Sequence, residues 1–159
     1  MSAPDIGDPA PPIELPDENG TIRRLADERG RWVVLYFYPA DDTPGCTAEA
    51  CEFRDAIDDI LARDAVVWGV SPQGSASKAR FKSKYDLPFT LLADVDHRVS
   101  EAYGTWVEKS SRGRTYFGTG RTTFLIDPQG RVAKVWARVT PRGHAAEVTA
   151  ALDEARAAA

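Results

Sequence analysis

The chain has 159 residues, 43% hydrophobic and 28% charged, with a formal net charge of −4. That suits one globular domain over residues 1–159 with a sizeable core, and the mildly acidic balance argues against a nucleic-acid footprint or a polybasic membrane anchor. No stretch approaches the ~18 apolar residues of a transmembrane helix and the start lacks a basic-then-apolar leader, so the cytoplasm is the expected location. In that reducing compartment its two cysteines are catalytic, redox-active or simply buried, and composition leaves the three open.

Residues 1–16 carry five prolines and should run extended over the surface, with Ile13 and Leu15 starting an edge strand. Asn19-Gly20 is a hairpin turn, with Thr21, Ile22 and Arg23 as the returning strand. A polar stretch over 26–31 leads to Trp32-Val33-Val34-Leu35-Tyr36-Phe37-Tyr38, whose unbroken apolar character marks a strand buried on both faces. Pro39 ends it.

Ala50, Phe53, Ile57, Ile60 and Leu61 then recur at helical spacing among charged residues, which predicts an amphipathic helix. Thr43 is its N-cap and Pro44 its first residue, so Cys46 falls in the first turn. Orphan N–H groups and the positive dipole end favour an anion there, hence a nucleophilic thiolate. Cys51, five residues on, would lie about 140° around the helix and about 7.5 Å along it. The two Cα atoms would then be roughly 8–9 Å apart, beyond the ~7 Å at which a disulfide closes. Bonding them requires the first turns of the helix to unwind.

Ala65-Val66-Val67-Trp68-Gly69-Val70-Ser71 reads as a second buried strand, completing a right-handed βαβ unit. Ligands of such units sit beyond the carboxyl ends of the strands, where Thr43 and Cys46 emerge. Residues 75–85 read as a helix, Thr90-Leu91-Leu92 as a short strand and 99–103 as a helical turn or two. The polar stretch 104–120, with Lys109, Arg112 and Arg114, reads as a long loop rimming the site. Residues 122–127 and 131–137 flank the turn Pro128-Gln129-Gly130 as a second hairpin, and an alanine-rich helix runs from about His144.

Pro39, Thr43 and Cys46 stand at the spacing Pro-x-x-x-Thr-x-x-Cys, and Thr43-Pro44-Gly45-Cys46 is followed by Cys51. This resembles the peroxiredoxin active-site pattern, in its peroxiredoxin Q or bacterioferritin comigratory protein branch. Gly69-Val70-Ser71-Pro72, Phe89-Thr90-Leu91-Leu92-Ala93-Asp94, Tyr103-Gly104, Glu108-Lys109 and Arg121-Thr122-Thr123-Phe124-Leu125-Ile126-Asp127 resemble that branch as well. The element order describes a thioredoxin-like α/β fold, and the resemblance supplies the peroxiredoxin additions.

The resemblance implies a thiol peroxidase acting on hydrogen peroxide and organic hydroperoxides, with Cys46 as the peroxidatic thiolate. It implies that Thr43 donates its hydroxyl to the peroxide, that Arg121 holds the thiolate and the peroxide oxygen, that Glu49 pairs with this arginine, and that Pro39 shields the thiolate from bulk water. Cys51 would be the resolving thiol of an intramolecular disulfide, reset by thioredoxin or a similar dithiol. No organic cofactor or metal is called for.

Other signals fail on their spacing. Cys-x4-Cys is poor for zinc, and His97 and His144 read as surface residues far along the chain. Gly118-Thr119-Gly120-Arg121 lacks the last glycine of a dinucleotide fingerprint and precedes a strand. Gly69-Val70-Ser71-Pro72-Gln73 lacks the closing glycine of a nucleophile elbow. Asp94, Asp96 and His97 make a polar loop without a complete metal pattern. A general dithiol oxidoreductase would need Cys-x-x-Cys, absent here. A redox sensor or holdase, its disulfide switching a binding surface, is the alternative from a different class.

Overall fold

Strands β1 (Glu14–Pro16) and β2 (Ile22–Arg24) pair antiparallel around the Asn19-Gly20 turn, as their sequence requires. The computed structural model describes residues 3–159, so the first two residues of the proline-bearing segment lie outside the described residues. After a 3-10 turn at Leu25–Glu28 comes β3 (Trp32–Phe37), every residue of which is buried. Its side chains alternate between two cores. Val34 and Tyr36 face one, with Cys46, Ala50, Phe53, Phe81 and Leu152, while Val33, Leu35 and Phe37 face the other, with Ile13, Trp68, Tyr103 and Phe124.

The expected amphipathic helix is present in two pieces, α1 (Pro44–Asp55) and α2 (Ile57–Leu61), divided at Ala56, whose ψ of 1° lies outside the helical range. The division leaves Ile60 fully buried and turns Leu61 outward, 51% exposed, so Leu61 is not a core residue. Then follow β4 (Ala65–Ser71), α3 (Ser75–Tyr85), β5 (Thr90–Ala93) and α4 (Arg98–Ala102).

Where the sequence reads as a long loop over 104–120, the structure holds β6 (Trp106–Ser111) and β7 (Arg114–Thr119), an antiparallel hairpin. Its two-residue turn is Arg112-Gly113, both at positive φ (50° and 76°), the geometry of a tight hairpin. Both faces of the hairpin are largely exposed, so neither strand needs the alternation of apolar residues by which strands are recognised.

The chain closes with β8 (Thr122–Ile126), β9 (Val132–Trp136) and α5 (His144–Ala158). The five-stranded sheet runs β5-β4-β3-β8-β9. β3, β4 and β5 are parallel, β8 adds antiparallel to the far side of β3, and β9 adds antiparallel to β8. β3 therefore sits at the centre, and the loop that leaves its carboxyl end carries residues 38–43 into α1. No helix among the described residues is long and apolar enough to cross a membrane.

Candidate active site

Thr43 occupies the N-cap in backbone terms, with φ −98° and ψ 157°, and Pro44 opens the helix. The Thr47 N–H bonds back to the Thr43 carbonyl at 2.8 Å. The Gly45 and Cys46 N–H groups precede that bond, so helix geometry offers them to an anion. The Thr43 hydroxyl does not cap; it donates to the Ala40 carbonyl at 2.9 Å. Its proton is thereby committed, and its oxygen is left as an acceptor.

Cys46 is buried and Cys51 half-buried, both as free thiols on the unbroken α1. Arg121, immediately before β8, reaches across to Cys46. Its Nη2 donates to Cys46 Sγ at 3.3 Å and its Nη1 to Glu49 Oε1 at 2.8 Å. The arginine is held from behind, its carbonyl accepting the Val139 N–H at 2.9 Å. Gly45 makes room for it. A Cβ at that position would stand 3.2 Å from Arg121 Nη2, so a larger residue would push the guanidinium from the thiol.

The two halves of this ion pair are unequal. Burial works against the Arg121 charge, but Cys46 and Glu49 together hold it above its ordinary value. Burial pushes the Glu49 carboxyl up to about 7 against the pull of Arg121. Glu49 Oε2 is buried and makes no hydrogen bond among the described residues, which is why desolvation wins there. The cation is secure and the carboxylate is close to neutralisation.

Pro39 is half-buried at the end of β3, its carbonyl accepting from Gln73 Nε2 at 3.2 Å. Gln73 Oε1 in turn accepts the Asp41 N–H at 3.1 Å, so one side chain pins the loop at two backbone atoms. The structure thus brings Pro39, Thr43, Cys46, Glu49 and Arg121 to one end of the sheet. Cys51 stays further along the helix.

Three groups escaped the sequence reading. Asp41 and Lys78 form a buried pair, Nζ to Oδ1 3.3 Å, beneath the 39–43 loop. The fully buried lysine on α3 carried no signal in its local pattern, which is that of an ordinary exposed helix. His144, expected on the surface, is only 1% exposed. The first turn of α5 packs its ring between Phe53 and Trp136, with Nε2 2.8 Å from Thr123 Oγ1. Desolvation lowers its pKa, while Glu147 works in the other direction. His97 is half-buried and stacks on Trp106, ring centroids 4.0 Å apart.

The AhpC/TSA family model matches residues 6–135. The chain belongs to this family. Peroxiredoxin Bcp of Bacillus subtilis (strain 168) is 45% identical over 150 residues, which is 94% of this chain and 96% of the relative. Among solved structures, a mutant of Xylella fastidiosa PrxQ superposes with a TM-score of 0.92 at 33% identity, covering 98% of this chain and 99% of that one. Xanthomonas campestris bacterioferritin comigratory protein, studied for its alkyl peroxide reduction activity, superposes with a TM-score of 0.85 at 35% identity, covering 89% and 90%. These likenesses bear out the peroxiredoxin Q or Bcp branch and the thioredoxin-like peroxiredoxin fold expected from the sequence.

Proposed function

We propose that this peroxiredoxin is a thiol peroxidase for hydrogen peroxide and organic hydroperoxides, with Cys46 as the peroxidatic residue. The observation that carries the reading is the Arg121 guanidinium 3.3 Å from a thiol sulfur in the first turn of a helix. A fixed cation and a helix N-terminus both favour a thiolate, and the same donors remain in place for charge that develops on the peroxide.

The Cys46 thiolate attacks the nearer peroxide oxygen as the O–O bond breaks. The sulfur becomes a sulfenic acid, and the departing oxygen takes a proton to leave as water or an alcohol. Arg121 and the first-turn N–H groups hold the peroxide and stabilise the leaving oxygen. Thr43, its own proton bound to Ala40, accepts the peroxide O–H and orients the substrate. Glu49 fixes the plane of the guanidinium, and Pro39 limits water at the sulfur.

Cys51 then attacks the sulfenic sulfur as a thiolate. The S–S bond forms and hydroxide leaves, taking a proton to become water. Because α1 separates the two thiols, its first turns must unwind for this step. A dithiol protein such as thioredoxin returns two electrons by thiol–disulfide exchange and restores both thiols. A dithiol donor of that kind suits the reducing cytoplasm.

The test is intact mass and free-thiol count before and after one equivalent of hydrogen peroxide. Wild type should lose both thiols and the mass of two hydrogens, Cys51→Ser should trap a single-oxygen adduct, and Cys46→Ser should leave peroxide unconsumed. Many turnovers with thioredoxin present separate a peroxidase from a sensor that oxidises once. Thiols that survive peroxide in wild type would overturn the reading.

A further inference from the structure

The loop over residues 39–43 is held from below by a polar cluster that the chemistry above does not use. Lys78, on α3, is fully buried, and its Nζ donates to Ser71 Oγ and to both Asp41 oxygens, at 3.3 and 3.4 Å. Tyr38 closes the cluster, donating its hydroxyl to Asp41 Oδ1 at 2.6 Å, and Ser77 donates to Oδ2 at 2.7 Å. From the outer side, Lys84 Nζ and the Tyr85 hydroxyl bind the neighbouring Asp42, at 2.8 and 2.7 Å. The β4–α3 segment is thus a platform, and the loop that delivers Thr43 and Cys46 is tied to it by these polar contacts.

We propose that Lys78 is a positioning residue for peroxide reduction, its ammonium gripping Asp41 so that the loop holds Cys46 against Arg121. The inference rests on the peroxidase reading above. An apolar residue would fill the same space as the lysine stem, so packing alone does not account for an ammonium there. A polar grip costs less to release than its gross strength suggests, because water replaces its hydrogen bonds once the loop lifts. That suits a loop needed in place for one step and out of place for the next. Peroxide attack requires Cys46 beside Arg121, whereas disulfide formation requires the start of α1 to leave.

Removing the grip should therefore move the two steps in opposite directions, which a purely structural lysine would not do. The variant is Lys78→Met combined with Asp41→Asn, so that no buried charge is left without a partner. Rapid mixing with hydrogen peroxide, quenched and read by intact mass, gives both rates. Sulfenic acid formation is followed in a Cys51→Ser background and its conversion to disulfide with Cys51 intact. The variant should form sulfenic acid at least fivefold more slowly and close the disulfide at least threefold faster. Equal changes in both rates, or a ratio within twofold of wild type, would overturn the role.

Should the double variant fail to fold by circular dichroism, Ser77→Ala removes one of the Asp41 bonds alone. It should shift the ratio of the two rates in the same sense, at least twofold, and an unchanged ratio overturns the proposal. Wild type run alongside keeps the two readings apart. A wild type inert to peroxide refutes the peroxidase reading and this inference with it, whereas a reactive wild type with unshifted variants refutes only the role of Lys78.

Discussion

Replacing Glu49 with glutamine should make the fold markedly less sensitive to pH. Burial raises the carboxyl from 4.5 to about 7. Between those values the folded chain keeps the proton and the unfolded chain releases it. The contribution to stability is therefore fully present below pH 4.5 and lost as the pH rises through about 7. At about 1.4 kcal/mol per pH unit, the displacement amounts to roughly 3 kcal/mol in full, most of which falls between pH 5 and pH 8. Glu49 is only 1% exposed, so solvent screening does not reduce that figure much. Urea unfolding of the reduced protein at pH 5 and pH 8, in wild type and Glu49→Gln, isolates it. The variant should gain roughly 2 to 3 kcal/mol on wild type across that range. Parallel behaviour of the two within about 0.5 kcal/mol would mean that Arg121 fully offsets the desolvation, and the account of an unequal ion pair would fail.

Arg121→Lys should slow sulfenic acid formation about 10²-fold, because one ammonium cannot serve Cys46 and Glu49 as two separate N–H groups do. Peroxide consumption at matched concentrations measures it, and a loss below threefold would remove the arginine from the mechanism. Further along α1, where it packs on Phe53, His144 is held below its ordinary value by burial. The unfolded chain therefore takes up the proton more readily, and stability should fall as the pH drops from about 6.5. His144→Asn should flatten that acid slope in thermal melts between pH 4.5 and 7; an unchanged slope would assign it to other groups.

The parts of the structure legible in the sequence are those where one local rule and the tertiary context agree. β3 and β4 are read almost to the residue because both faces are buried and their composition is unbroken. α3 and α5 are equally plain. The β6–β7 hairpin was not legible, since strands with two wet faces have no apolar period; only the Arg112-Gly113 turn marked it. His144 misled because its environment is made by Phe53 of α1, Thr123 of β8 and Trp136 of β9, none of them on its own helix. Of the candidate site, the Cys46 helix start was visible from Thr43 and Pro44 alone, and Arg121 and Glu49 only through family resemblance. Lys78 was invisible to both, because a buried lysine is defined by the loop above it and not by its own neighbours.

The β6–β7 hairpin pairs with no other strand among the described residues, so it presents two open edges to solvent. Tyr116 and Phe117, both on β7, are 49% and 60% exposed. Such a ribbon is a template on which a second molecule could build a sheet. The exposed Arg112 and Arg114 at its tip discourage that growth, because an identical ribbon laid alongside in the same direction would bring like charges together. The hairpin thus carries, at the tip where its turn leaves the body of the chain, the charges that oppose edge-to-edge growth between identical copies.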